Sequence, residues 1–143
     1  MNRVHVVTLG VKDMNRSLTF YRDGLGFKTS VKEEDPPIVF FQSGGTTLAL
    51  CPRDGMAEDI SKENPPKGEG FPGITLAYVA REQSEVDRIM ELAERAGGKV
   101  VKKPQRVFWG GYSGYFCDPD GYYWEVMYWE DWQFKDDGCL LIE

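Results

Sequence analysis

The stretch "GYFCDPDGYYWEVMYW", residues 114–129, decides the fold. Its centre, Asp118-Pro119-Asp120-Gly121, is turn chemistry: aspartate bonds its own backbone, proline presets one φ, and glycine accepts a positive one. The flanking segments are aromatic and apolar, so the stretch reads as a hairpin. Along its second strand Trp124, Val126 and Tyr128 fall on one face, and Tyr123, Glu125 and Met127 on the other. One face is wholly apolar. The other carries a single carboxylate.

The same outline occurs earlier in the chain. "FQSGGTTLAL" at 41–50 lies over "CDPDGYYWEV" at 117–126, with Gly45 and Gly121 closing the two turns. "VTLGV" at 7–11 lies over "ITLAY" at 74–78. Each of these leading strands is followed by a helical pattern. Asp13 offers an N-cap, Leu18, Tyr21 and Leu25 recur at helical spacing, and Gly24 or Gly26 can stop that helix. In "REQSEVDRIMELAERAGG", 81–98, Val86, Ile89, Met90 and Ala93 share a face and Gly97-Gly98 supplies the stop. The order is β-α-β-β-β, a loop, and β-α-β-β-β again, which is an internal duplication. The expected modules span 4–52 and 73–129, joined by a linker at 53–72 and followed by a tail at 130–143. The linker holds Pro65, Pro66 and Pro72 and reads as a long loop, either a lid or a plain connector. The fold class this implies is α+β: two βαβββ modules forming a curved mixed sheet around a cleft, with helices on the outer face.

Composition narrows the partners. A chain of 143 residues suits one compact domain, and 41% apolar with 28% charged residues is ordinary for a globular protein. The formal net charge of −6 argues against nucleic acid, which selects a basic face. No apolar run is long enough for a membrane helix. Cys51, Cys117 and Cys139 form no CxxC pair, which favours neither a disulfide framework nor a zinc site and fits a reducing cytoplasm.

Strand parity locates the expected cleft. Val7, Leu9 and Val11, then Ile74, Leu76 and Tyr78, then Leu48 and Leu50, form apolar sets that belong under the helices. The opposite sets are Val6, Thr8 and Gly10; Gly73, Thr75 and Ala77; Thr47, Ala49 and Cys51; and Tyr123, Glu125 and Met127. Small and mildly polar residues of this kind suit a concave ligand site. Glu125 is the only charged member of these four sets.

"VKDMNRSLTFYRDGLGF" at 11–27, the repeated βαβββ unit and "DPDGYYWEV" at 118–126 together resemble the vicinal oxygen chelate superfamily. That superfamily includes glyoxalase I, extradiol dioxygenases and bleomycin-resistance proteins. The resemblance covers about residues 4–129 and implies a homodimer. Members that use a metal place ligands at four related cleft positions, which fall here on Val6, Ala49, Gly73 and Glu125. Only Glu125 can ligate, whereas a divalent ion needs about three protein ligands. His5, the sole histidine, precedes the ligand position by one residue, and a one-residue step turns a strand side chain to the other face. The resemblance therefore implies the fold with its metal centre and cofactor absent, and a cleft that binds a small organic molecule, cationic or aromatic. The alternative is an enzyme of glyoxalase, lyase or dioxygenase type, with a rebuilt metal site or with Glu125 as general base.

Without a metal, Glu125 has three roles open: acid or base, counter-charge for a cationic ligand, or structural acceptor bonded to Thr8, Thr75 or a backbone N–H. The stretch "VFWGGYSGYF" at 107–116 offers Trp109, Tyr112 and Tyr115 between glycines, a flat aromatic surface for a ligand or a core-filling edge strand. Phe41, Trp129, Trp132 and Phe134 extend that wall or form a dimer contact. The expected ligand-binding set is thus Thr8, Phe41, Ala49, Thr75, Trp109, Tyr112, Tyr115, Tyr123, Glu125 and Met127. One histidine at the chain start leaves no room for a Ser-His-acid triad. Cys51 reads either as reactive or as a small buried hydrophobe.

Overall fold

A computed structural model describes residues 3–141. The chain is α+β and falls into two compact units, one running to Gly73 and the other beginning at Ile74.

The first unit opens with β1 (Val6–Val11), then α1 (Met14–Leu18), which continues into a π-helical turn over Thr19–Gly24. The start of α1 is fixed by Asp13, whose Oδ1 accepts the Arg16 N–H at 2.9 Å. β2 (Val39–Phe40) and β3 (Thr47–Pro52) follow, in the sheet order β1-β3-β2. β1 runs parallel to β3, and β2 is antiparallel to it. Where a further strand is expected after the helix, only an isolated bridge between Lys28 and Gln42 forms. The segment between, "KTSVKEEDPP" at 28–37, has no apolar alternation and ends in two prolines, so it cannot sustain a ladder. The core of this unit holds Val11, Leu18, Phe20, Tyr21, Phe41 and Leu50, each 2% exposed or less.

The expected linker is not all loop, because α2 (Arg53–Ile60) occupies its first half. Gly10 explains its seat. A Cβ at Gly10 would lie 2.6 Å from Met56 Cε and 3.2 Å from the Arg53 Cα. The missing side chain on β1 lets α2 pack directly on that face, so tertiary contact rather than helical periodicity makes this helix.

The second unit is the complete βαβββ module. β4 (Thr75–Val79) leads to α3 (Gln83–Arg95), then β5 (Lys99–Arg106), β6 (Tyr112–Cys117) and β7 (Tyr123–Tyr128). The sheet order is β4-β7-β6-β5, with β4 parallel to β7 and the other pairs antiparallel. The turn at 118–121 forms as its residues require. Asp118 Oδ1 accepts the Asp120 and Tyr122 N–H groups at 2.9 and 2.8 Å, and Gly121 has φ +88°. Val86, Met90 and Ala93 of α3 are buried, and Phe116 stacks on Trp124 at 6.1 Å on the sheet's apolar face. β5 is longer than the short strand expected and carries two register shifts around Lys102.

The tail folds back as β8 (Gln133–Phe134) and β9 (Leu140–Leu141), and the Arg81 guanidinium lies 4.3 Å over the Phe134 ring. The last two residues of the expected tail lie outside the described residues. No helix among the described residues is long and apolar enough to cross a membrane.

Candidate functional site

The β6–β7 hairpin fixes the site by register. Cys117 pairs with Tyr123, so Tyr115 faces Glu125 and Ser113 faces Met127. These six residues lie on the face opposite Phe116, Trp124 and Val126. The Ser113 hydroxyl donates to Glu125 Oε1 at 2.7 Å across one diagonal of the ladder. Ser113 is 1% exposed, so this bond holds the carboxylate from inside the sheet. Tyr115 stands directly opposite and also bonds Glu125. Burial pushes its phenol above the ordinary tyrosine value, and the charge of Glu125 and the bond to it add to that shift. The phenol is therefore a protonated donor at neutral pH.

These groups border a groove of about 400 Å³. Ser113, Tyr115 and Glu125 form one wall, while Lys102, Gln105 and Arg106 of β5 contribute another. Val107, Phe108 and Trp109 of the β5–β6 turn close the end. That turn is tied by Val107 N–H to Gly111 C=O at 3.0 Å and Gly110 N–H to Val107 C=O at 3.0 Å, with Gly110 at φ +99°. The Trp109 indole lies against Gly111, where a Cβ would fall inside the ring's contact distance. It meets Trp129 edge-on at 6.1 Å, and Trp129 meets Trp132 at 5.5 Å.

The expected ligand-binding residues divide accordingly. Trp109, Tyr115 and Glu125 line the groove, with Tyr123 and Met127 on the same sheet face. Thr75 shares that face, opposite Tyr123 on the neighbouring strand. Tyr112 does not join them. It points to the helix side, where its hydroxyl donates to Asp87 Oδ1 of α3 at 2.7 Å. Thr8, Phe41 and Ala49 belong to the first unit. Phe41 is core there, 1% exposed and packed against Phe27 and Tyr21 at 5.4 and 5.8 Å. Ala49 is fully buried. The structural partner of Glu125 is Ser113, rather than Thr8, Thr75 or a backbone N–H.

Six groove residues lie outside the expected set: Lys102, Gln105, Arg106, Val107, Phe108 and Ser113. Ser113 was findable, because it lies two residues from Tyr115 on a strand whose register the Asp118–Gly121 turn sets. Lys102 was not, because its direction depends on irregular register in β5.

The four positions that resemblance assigns to a metal do not fit one. Sheet register also revises the set. Ala49 pairs with Thr8 and Glu125 pairs with Ala77, so the counterpart of Val6 is Thr75 and not Gly73. That exchange keeps strand parity and adds only a neutral hydroxyl. Val6 and Ala49 offer no donor atom, and one oxygen of the remaining carboxylate already accepts from Ser113. His5 is exposed, and its carbonyl accepts the Thr47 N–H at 2.8 Å. Among the described residues no group of three or more His, Cys, Asp or Glu side chains could hold a metal ion.

Comparison with known proteins agrees with this architecture. A protein of Bacillus subtilis strain 168, uncharacterized protein YraH, is 30% identical over 116 residues, spanning 80% of this chain and 88% of that protein. A glyoxalase-related enzyme from Fulvimarina pelagi superposes with a TM-score of 0.89, covering 99% of both chains at 30% identity. A lactoylglutathione lyase from Agrobacterium tumefaciens superposes with a TM-score of 0.67 over 94% of this chain and 99% of that one, a likeness of fold alone at 24% identity. Residues 3–126 match the family as a whole, and the chain belongs to the Glyoxalase/Bleomycin resistance protein/Dioxygenase superfamily.

Proposed function

We propose that this protein binds a small organic molecule in the groove of its second unit, with Glu125 serving as the acceptor that faces the ligand and not as a metal ligand. The observation that carries this reading is the buried Ser113 hydroxyl bonded to Glu125 Oε1 at 2.7 Å on the wall of an open groove. A lone carboxylate is kept on an otherwise uncharged strand face and is held there by a buried partner. Such preorganisation suits recognition, since the acceptor is already oriented when the ligand arrives. The groove volume of about 400 Å³ is within the range that small-molecule sites occupy. Trp109 supplies a flat apolar surface beside it.

Titration of the full chain with aromatic probes, read by tryptophan fluorescence, tests this. Quenching should occur in the wild type, disappear in Trp109→Phe, and weaken in Glu125→Gln. Binding that ignores Glu125→Gln would end the reading.

A second reading has its own support. A carboxylate beside a protonated phenol is a base and an acid on one wall, an arrangement suited to moving a proton to and from a carbonyl compound. In that case Glu125→Gln and Tyr115→Phe each abolish turnover while neutral ligands still bind. Binding without turnover in the wild type would leave the first reading alone.

A further inference from the structure

We infer that the ligand of this groove is a small zwitterion, its anionic group set against Lys102 and its cationic hydrogen-bond donor set against Glu125. This rests on the binding reading above and names the class of molecule bound.

Backbone irregularity in β5 aims Lys102. Val100 pairs with Phe116 on the apolar, helix-side face. Strict alternation would turn Lys102 to that same side. Instead the register shifts between Val100 and Lys102, and Lys102 pairs with Tyr115 on the groove face. A second shift follows between Lys102 and Gln105. Bulges of this kind re-aim side chains and recur beside functional sites. The second one also constrains its neighbour: a Cβ at Gly114 would lie 3.0 Å from the Lys102 carbonyl oxygen and from Pro104 N. The sheet thus tolerates two irregularities and a glycine at the place where a cation is turned into the groove.

Charge makes the case specific. Lys102, Tyr115 and Glu125 form one row across three adjacent strands. Neighbouring strands lie about 4.8 Å apart, so the backbones carrying the two opposite charges are separated by about 10 Å. The protonated phenol lies between them. Arg106, in contrast, pairs with Tyr112 on the helix-side face, where its Nη2 donates to Gln83 Oε1 of α3 at 3.3 Å. No ion pair to Lys102 occurs among the described residues, whereas Arg22 and Arg88 are paired with Asp23 and Glu82. The groove face therefore carries one unpaired cation and one carboxylate, in a chain whose net charge is −6. A simple anion would meet repulsion from Glu125, and a simple cation would meet it from Lys102. A molecule with both charges meets neither. The competing explanation is that lysines guard an exposed edge strand against pairing. That role gives no preference among ligands, so binding separates the two.

The test uses the full chain with three probes: 4-(aminomethyl)benzoate as zwitterion, benzoate as anion and benzylamine as cation. Affinities are measured by calorimetry for the wild type, Lys102→Met and Glu125→Gln, with each variant's fold checked by circular dichroism. The zwitterion should bind the wild type about tenfold more tightly than either singly charged probe. Lys102→Met should remove its advantage over benzylamine, and Glu125→Gln its advantage over benzoate. An advantage that survives Lys102→Met, or equal binding of all three probes, overturns this inference and leaves the binding reading standing. Absence of binding by every probe overturns both.

Discussion

The contact between Trp109 and Gly111 gives the sharpest stability experiment. Gly111→Ala places a methyl group inside the Trp109 ring, within contact distance of Cζ3 and Cη2 and 2.8 Å from Cε3. The Gly111 backbone is held by the Val107 N–H bond to its carbonyl and by the adjoining β6 ladder that starts at Tyr112, so the indole must move. Moving it breaks the edge contact to Trp129 at 6.1 Å, which is worth about 0.5–1.5 kcal/mol beyond area burial. It also returns part of a half-buried indole to water, at roughly 1–2 kcal/mol. Gly111→Ala should therefore cost roughly 2–3 kcal/mol of unfolding free energy. Gly111 is not among the glycines at positive φ, so the substitution carries no backbone penalty of its own. In a Trp109→Ala background the same change should be neutral to within about 0.5 kcal/mol. Urea unfolding of the wild type, both single variants and the double variant closes the cycle, with a coupling of about 2 kcal/mol expected. Near-ultraviolet circular dichroism should lose its Trp109–Trp129 contribution in both single variants. Equal cost of Gly111→Ala in both backgrounds would refute the reasoning, since the indole would then not be what glycine accommodates.

Asp118→Ala should destabilise the protein by about 2–3 kcal/mol, because hydrogen bonds to a charged acceptor are lost and the Asp120 and Tyr122 N–H groups are stranded in a turn where Asp118 is 3% exposed. Denaturant unfolding measures it, and a loss below about 0.5 kcal/mol would contradict this assignment of the turn. The Tyr115 phenol has a folded pKa raised above its unfolded value, so its contribution to stability is complete below about pH 10 and is lost as pH rises through the folded value. Followed by phenolate absorbance, Glu125→Gln should move Tyr115 part of the way back toward the ordinary value, with the remainder due to burial. Full reversion would mean that burial is not the larger cause.

Local signals carried most of the fold. The Asp118–Gly121 turn, the Asp13 cap and the apolar face of α3 each combine a residue type with a spacing, and the elements formed where those spacings placed them. Strand parity separated Trp124 and Val126 from Glu125 without error, since an unbulged strand has no freedom to do otherwise. What escaped depended on contacts distant in sequence. The α2 helix exists because Met56 seats on Gly10, and "RDGMAEDI" alone gives no strong reason to be helical. Thr75, not Gly73, is the counterpart of Val6, because only ladder register fixes offsets between strands of low identity. Within the candidate site, Glu125 and Tyr115 were legible as groups on one hairpin, and Trp109 as an aromatic residue in the glycine-rich turn that precedes it. Tyr112 alternates away from them to Asp87, a consequence of the same parity applied to β6. Phe41 is drawn into an aromatic core by Tyr21 and Phe27. Lys102 reaches the groove only through bulges that no alternation pattern announces.

The most direct measurement is calorimetric titration of the full chain with 4-(aminomethyl)benzoate in the presence of EDTA, repeated after addition of zinc, nickel or manganese. One-to-one binding should be indifferent to chelator and to added ion, and should weaken in Glu125→Gln. Binding that vanishes in EDTA, returns with a transition metal and depends on Glu125 would show that the carboxylate holds an ion after all.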